Sequence, residues 1–192
     1  MTQVQEGVDV RTVVAEPLTL EAFAPFGDII GPEGHERLPI DLYGGTVDAY
    51  NIPVHADEPF EFLVNRLRYR GLRIHNLERH AGLSQAFIPM DGAPFIQVVA
   101  AADATLENDV PAADEVRAFI VPGNRGVQIN TNVWHEPPFP MQAEQLLVVT
   151  SHQSLTKGLQ SKVDASQEIG QLDVDKRNIT DRAGYELRIN LP

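Results

Sequence analysis

The stretch His75-Asn-Leu-Glu-Arg-His-Ala-Gly-Leu-Ser-Gln-Ala-Phe-Ile-Pro-Met-Asp-Gly92 decides the fold prediction. Within it Glu78 and His80 are separated by one residue, so their side chains point to the same face of a strand. The Asp91-Gly92 pair is a strong β-hairpin signal, and we expect Pro94–Ala100 to return as the partner strand. A strand that carries polar groups inward beside a tight turn is typical of a small barrel with a reactive cluster at its mouth.

Short segments of β-forming residues, separated by turns, recur along the rest of the chain. Strands are predicted at 11–15, 27–30, 116–121 and 146–150. Thr19 is a candidate N-cap for a short helix that ends before Pro25. Many short strands and few helical segments predict an all-β fold, a closed barrel with one or two short helices.

The polar pattern of the opening stretch resembles the first signature of the cupin superfamily, in which two histidines one residue apart are followed by a glutamate and a glycine. Here those positions are taken by Glu78, His80, Gln85 and Gly92. The second signature, Pro-Gly followed by an inward histidine on the next strand, resembles Pro122-Gly-Asn-Arg-Gly-Val-Gln-Ile-Asn130. The resemblance implies a cupin-type β-barrel, also described as a double-stranded β-helix or jelly roll.

Longer strings are similar to one family within that superfamily, the ureidoglycolate lyases, formerly called ureidoglycolate hydrolases. They include Leu77-Glu-Arg-His80, Gln85-Ala-Phe-Ile-Pro-Met90 and Asn132-Val-Trp-His135. The similarity spans roughly residues 15–150 and implies a cupin barrel there. The residues outside it are predicted to form an N-terminal arm at 1–14 and a C-terminal extension at 151–192 that packs on the barrel or on a partner subunit. The similarity also implies a homodimer, because cupins associate through sheet edges and pairing removes exposed edges.

Composition and charge exclude several classes of partner and fit an ordinary globular protein. The chain has 192 residues, 43% of them hydrophobic, and a net charge of −12. A field of that sign repels nucleic acid and anionic lipid, so neither is expected as a partner. The absence of cysteine removes disulfides and thiolate chemistry and fits a cytoplasmic protein. An anionic substrate would need a local cation to reverse the sign inside its pocket.

Three residues are predicted to be catalytic. His80 and His135 are the two best-placed imidazoles, and an imidazole is the default proton carrier near neutral pH. His80 takes a signature position, whereas His135 follows Trp134 and faces the opposite way to it unless a bulge intervenes. Glu78 either binds a metal, holds His80 in one tautomer, or pairs with a neighbouring arginine at the rim. His75 lies out of register with Glu78 and His80, so it is expected outside the pocket.

Five further residues are candidates for binding the substrate: Gln85, Asn130, Arg79, Arg117 and Trp134. Gln85 and Asn130 offer amide groups that suit a urea moiety, although Gln85 could instead bridge strands in the core. Arg79 and Arg117 are candidates to hold a carboxylate, or are surface ion-pair partners. Trp134 closes the pocket or packs in the barrel wall.

A metal site, if the protein has one, would consist of Glu78, His80, Gln85 and Asn130. Neutral amides are weak ligands for zinc, nickel or iron. The sequence therefore predicts either no metal cofactor or a weakly bound divalent metal.

The family resemblance implies a carbon–nitrogen lyase in allantoin degradation, part of purine metabolism, that eliminates urea from ureidoglycolate and leaves glyoxylate. His80 or His135 would be the base, Glu78 the orienting or acidic group. Asn130 and Glu136 stand where the family usually has histidines. Two alternatives therefore stay open: a diverged lyase, isomerase or hydrolase for another small hydroxy or keto carboxylate, and a non-catalytic cupin that binds a metabolite.

Overall fold

The structure is a computed structural model, and it describes residues 9–40, 43–160, 167–171 and 173–192. Two curled sheets, one of ten strands and one of five, form most of the described fold, and a separate two-stranded sheet accompanies them. The strands are, in chain order, β1 (Asp9–Pro17), β2 (Gly27–Ile30), β3 (Phe60–Arg68), β4 (Arg73–Ile74), β5 (Asn76–Arg79), β6 (Gln85–Pro89), β7 (Phe95–Ala100), β8 (Leu106–Glu107), β9 (Val110–Pro111), β10 (Arg117–Val121), β11 (Gly126–Ile129), β12 (Trp134–His135), β13 (Phe139–Pro140), β14 (Glu144–His152), β15 (Ile169–Gln171), β16 (Val174–Asn178) and β17 (Tyr185–Asn190).

Helical structure is sparse, as the sequence predicts. The described helices are α1 (Leu20–Phe23), α2 (Gln153–Gln160) and α3 (Ile179–Ala183), with a 3₁₀ turn at Ala113–Glu115. Thr19 caps α1 as expected, because its hydroxyl accepts a hydrogen bond from the Ala22 N–H at 3.2 Å. None of the helices in the described part of the chain is long and apolar enough to cross a membrane. The mostly β architecture confirms the predicted all-β, cupin-type class, with three short helices rather than one or two.

The ten-stranded sheet follows the order β15-β16-β5-β12-β7-β10-β1-β17-β4, with β13 beside β7. The five-stranded sheet follows the order β2-β11-β6-β14-β3. Strand β1 runs parallel to both β10 and β17, while the other pairings are antiparallel, so the larger sheet is mixed. The central strand β7 is buried along its whole length because apolar residues cover both of its faces.

Two apolar clusters fill the two sides of the larger sheet. One contains Phe23, Phe87, Phe119 and Val149 and fills the space between the sheets. The other contains Trp134, Tyr185 and Leu187 and lies beneath the C-terminal strands. Burial of this apolar surface is the main force that closes the barrel.

The predicted hairpin between 85–90 and 94–100 is wrong. Strand β6 pairs with β11 and β14, whereas β7 pairs with β10, β12 and β13, so the Asp91-Gly92 turn connects the two sheets. Gly92 has a φ of +72°, as the turn requires. A Cβ at Gly123 would lie 1.8 Å from the Gly92 carbonyl oxygen, so the glycines of the two signature motifs pack directly against each other.

The C-terminal segment is woven into the larger sheet of its own chain. Strand β16 pairs with β5, and β17 lies between β1 and β4. The sequence predicts a strand at 185–191 on a sheet edge, but β17 has a neighbour on each side. Strand β1 begins at Asp9, inside the range predicted as an arm, because its backbone pairs with β17 from that residue onward.

Candidate active site

A buried cluster of two imidazoles and one carboxylate lies where β5 and β12 meet. Glu78 and His135 are directly opposite each other in the antiparallel pair. The side-chain nitrogen and oxygen atoms that Glu78, His80 and His135 offer all lie within 4.8 Å of one another. The three residues predicted to be catalytic are therefore brought together by the fold.

His80 has a ring orientation fixed by the backbone. Its Nδ1 lies 2.7 Å from the carbonyl oxygen of Asp173, an acceptor, so Nδ1 carries the hydrogen. The neutral ring then has its lone pair on Nε2, and that atom is buried without a hydrogen-bond partner among the residues that the structure describes. An unpaired basic nitrogen beside a carboxylate is what a general base requires.

Each ring nitrogen of His135 lies within hydrogen-bond distance of an oxygen atom, and a neutral ring has one N–H to donate to one of the two. Its Nε2 lies 2.9 Å from Gln85 Oε1, and its Nδ1 lies 3.0 Å from the carbonyl oxygen of Val133. The amide nitrogen of Gln85 donates to the Thr150 carbonyl at 3.1 Å, which fixes the amide orientation. Burial lowers the pKa of His135 to about 4, with a further contribution from His80, so the ring is neutral at pH 7.

Two adjoining cavities give access to the cluster. The outer chamber has a volume of about 450 Å³, and the polar side chains that line it include Arg70, His75, Glu78, Glu136, Lys176 and Asn178. The inner chamber has a volume of about 200 Å³ and places His80 and Gln85 among apolar side chains that include Leu63, Phe87 and Leu155. Glu78, Pro137 and Lys176 line both chambers. The volumes of these two chambers suit a small polar ligand.

Glu136 and Arg70 form the end of the outer chamber. Burial raises the pKa of Glu136 to about 8, opposed by the Arg70 guanidinium, whose Nη2 lies 3.9 Å from Glu136 Oε1. The His75 backbone N–H donates to Glu136 Oε2 at 3.2 Å. At neutral pH Glu136 is therefore a protonated carboxyl group that can donate a hydrogen bond or a proton.

The structure places the predicted binding residues differently from the prediction in several cases. Arg117 contacts Glu16 Oε1 at 2.8 Å and donates to the Ala22 carbonyl, so it holds the N-terminal elements rather than the cluster. Asn130 is exposed. Ile129 is paired with Gln85, so Ile129 shares the inward face and Asn130, one residue later, takes the other face. Neither placement supports a contact with substrate in the chambers.

Arg79 and Trp134 form a pair outside the two chambers. The Arg79 guanidinium lies 4.3 Å from the centre of the Trp134 ring and contacts Asp175 Oδ2 at 2.9 Å. Trp134 is fully buried in the apolar cluster that also contains Tyr185 and Leu187. It therefore faces away from His135, as strand alternation predicts. Gln85 does lie in the inner chamber, where its carbonyl oxygen is bonded to His135.

Sequence reasoning missed several residues of the site, and it was wrong to place His75 outside the pocket. His75 lies in the break between β4 and β5, where strand alternation does not apply. Lys176 and Asp173 come from the C-terminal segment, to which no motif was assigned. The alternation of Val174 and Lys176, both buried, was the signal available for Lys176. Glu136 could have been suspected because it follows His135 directly.

Two of the three candidate metal ligands in the cluster, His135 and Glu78, already have other partners. Two imidazoles and a carboxylate are a common metal-ligand set. However, both ring nitrogens of His135 face oxygen acceptors, and the Lys176 ammonium lies 3.5 Å from Glu78 Oε2. A metal ion bound to His135 Nε2 would have to displace Gln85. A metal ion bound to Glu78 would have the Lys176 ammonium group as a second cation beside the same carboxylate. Asn130, the fourth residue of the predicted ligand set, is exposed and lies on the opposite face of the chain from Ile129, which is paired with Gln85.

Comparison with known proteins identifies the family of the chain. The family model for ureidoglycolate lyase matches residues 10–169. A ureidoglycolate lyase from Brucella anthropi is 40% identical over 148 residues, which is 73% of this chain and 83% of that protein. Ureidoglycolate lyases from Pseudomonas paraeruginosa and Pseudomonas fluorescens are 40% and 37% identical, each over 72% of this chain and over 83% and 84% of their own length. The chain therefore belongs to the ureidoglycolate lyase family.

Proposed function

We propose that this protein is a ureidoglycolate lyase, which eliminates urea from ureidoglycolate and releases glyoxylate. The observation that carries the proposal is the buried, unpartnered Nε2 of His80, whose tautomer is fixed by the Asp173 carbonyl and which lies beside Glu78. Family membership and the small size of the chambers support the same substrate. An ionised substrate carboxylate would be attracted by the cations Arg70 and Lys176 in the outer chamber.

The proposed reaction requires one base and one acid. His80 Nε2 takes the hydroxyl proton, the oxygen lone pair forms the carbonyl of glyoxylate, and the carbon–nitrogen bond breaks with its electron pair moving to the urea nitrogen. A carboxyl group then protonates that nitrogen. Glu136, protonated at neutral pH, is the acid that its raised pKa favours, while Glu78 orients the substrate. Return of the proton from His80 to Glu136 through solvent restores the starting state.

General acid–base catalysis of this kind contributes roughly 10²- to 10⁴-fold to the rate. His135 would act mainly by position, since each of its nitrogens faces an oxygen atom and burial lowers its pKa to about 4. Positioning of the substrate against His80 must contribute the rest of the rate enhancement.

We further propose that the reaction does not depend on a metal, because the His135 nitrogens and the Glu78 carboxylate already have partners. The test is a glyoxylate-release assay on protein treated with EDTA, with manganese or nickel added back to a second portion. Equal rates support the proposal. A rate that collapses with EDTA and returns with metal contradicts the metal-free reaction while leaving the lyase activity intact.

We also propose a homodimer formed through the free edge of β3. This strand ends the five-stranded sheet, and Phe60, Phe62 and Val64 expose large apolar side chains on one face of it. An exposed apolar edge strand is an unusual feature for a monomer. Light scattering should give twice the chain mass for the wild type and the single-chain mass for Phe62→Asp. A cytoplasmic location stays a prediction, which cell fractionation would test.

A further inference from the structure

The strand that follows the family-matched residues brings a lysine into the site. The family match ends at residue 169, and β16 begins at Val174. In the antiparallel pairing of β16 with β5, Lys176 is directly opposite Glu78, so the two side chains share a face. Lys176 Nζ lies 3.5 Å from Glu78 Oε2, and the lysine is only 9% exposed.

The Lys176 side chain lines both chambers. With Glu78 and Pro137 it forms the boundary between the outer chamber and the inner chamber that contains His80. A substrate whose reacting carbon lies at His80 would therefore have its neighbouring substituents within reach of the ammonium group. Lysine is a flexible point charge with three N–H donors, so it can bind Glu78 and a ligand oxygen together.

The charge of the outer chamber is opposite to that of the whole protein. The chain carries a net charge of −12. The chamber is lined by two cationic side chains, Arg70 and Lys176, and by two carboxyl groups, Glu78 and Glu136, and burial raises the pKa of Glu136 to about 8. Arg70 donates to the carbonyls of Pro137 and Pro138, so its guanidinium is already held by backbone. Among the described residues, Lys176 is the cation placed against the catalytic carboxylate.

We propose that Lys176 binds the carboxylate of the substrate, and that the C-terminal strand β16 thereby makes the pocket selective for small α-hydroxy or α-keto monocarboxylates. The inference rests on the proposed lyase function for the identity of the reaction, but not for the binding of the carboxylate. Lys176 takes the role that the sequence assigned to Arg79 or Arg117, both of which are engaged elsewhere.

The test compares Lys176→Met with Lys157→Met, which removes the same charge from an exposed position on α2. Glyoxylate binding is measured by isothermal titration calorimetry, and KM and kcat are measured with ureidoglycolate. A charge-assisted hydrogen bond is worth about 1.5–3 kcal/mol, or roughly 10- to 150-fold in affinity. We expect Lys176→Met to weaken glyoxylate binding and raise KM by this factor, with a smaller effect on kcat, and Lys157→Met to match the wild type.

A second comparison controls for the buried charge that Lys176→Met leaves on Glu78. Glu78→Gln is the reference for this comparison, and Glu78→Gln with Lys176→Met should bind glyoxylate more weakly than Glu78→Gln by the factor given above. Equal binding by these two variants would overturn the proposal. Unchanged KM in a folded Lys176→Met protein that turns over ureidoglycolate would also overturn it and leave the lyase function standing. Lysine-dependent glyoxylate binding without any turnover would instead refute the lyase function and retain the proposal.

Discussion

The backbone carbonyl of Asp173 lies 2.7 Å from Nδ1 of His80 and fixes the tautomer of that ring. The Asp173 side chain adds two bonds in the same place, because Oδ1 accepts from the N–H groups of Ala81 and Gly82 at 2.7 and 2.9 Å. Oδ2 also lies 3.1 Å from Nδ1 of the buried His152. One residue of the C-terminal segment therefore positions His80 from outside the two chambers.

Replacement of Asp173 by alanine should loosen the turn that follows His80. The loss of two charge-assisted bonds is expected to lower the free energy of unfolding by about 2–4 kcal/mol. We expect kcat to fall at least about tenfold, since geometry at the base sets the rate. A purely structural role would lower stability but leave the kcat of the folded protein unchanged, whereas a role in positioning His80 lowers kcat in protein that is fully folded. The exposed Asp103→Ala variant is the control.

Glu136→Gln should change how stability depends on pH. The folded-state pKa of Glu136 is about 8, against an ordinary value of 4.5, so the folded protein holds this proton more tightly than the unfolded chain. As pH rises from about 4.5 to 8, the unfolded chain loses this proton while the folded protein keeps it. The free energy of unfolding therefore falls by about 1.4 kcal/mol per pH unit. Chemical denaturation at pH 5, 7 and 9 should show that the free energy of unfolding of Glu136→Gln increases relative to that of the wild type as pH rises.

The exposed Glu36→Gln variant should show no such gain. Parallel curves for wild type and Glu136→Gln would mean that Glu136 is ionised in the folded protein at neutral pH and is not the acid of the reaction. The same variant should lose kcat if Glu136 protonates the departing urea.

Arg117→Met should leave substrate binding unchanged. The guanidinium contacts Glu16 and the Ala22 carbonyl, and it lies 4.8 Å from the centre of the Phe119 ring. Its partly exposed ion pair is worth about 0–1 kcal/mol, so the loss of stability should be small. A KM equal to that of the wild type is expected in steady-state kinetics. A KM raised tenfold or more would restore Arg117 as a candidate to hold the carboxylate.

Sequence patterns predicted those parts of the site that depend on local geometry. The spacing of Glu78 and His80 placed both on one side of the chain, and the opposite directions of Trp134 and His135 followed from alternation. The hairpin prediction failed because a turn such as Asp91-Gly92 fixes only the reversal of direction. Which strands pair is decided by burial, and β7 is buried on both faces in the other sheet.

Long-range pairing determined what the sequence could not predict. Lys176 reaches Glu78 only through the register of β16 against β5. Asp173 reaches His80 from 93 positions along the chain. A shift of one residue in register would move every side chain of β16 to the opposite face, so the residue types alone do not identify these partners. The placement of Asn130 also depends on long-range pairing, because the pairing of Ile129 with Gln85 puts Asn130 on the outward-facing side.

The most direct test of the account is release of glyoxylate and urea from ureidoglycolate by the wild type and by His80→Gln. We predict equal amounts of the two products from the wild type, and a rate lower by roughly 10²- to 10⁴-fold for a folded His80→Gln protein. His55→Ala, at an exposed histidine, should keep the wild-type rate. Undiminished turnover by His80→Gln, or no glyoxylate from the wild type, would contradict the account.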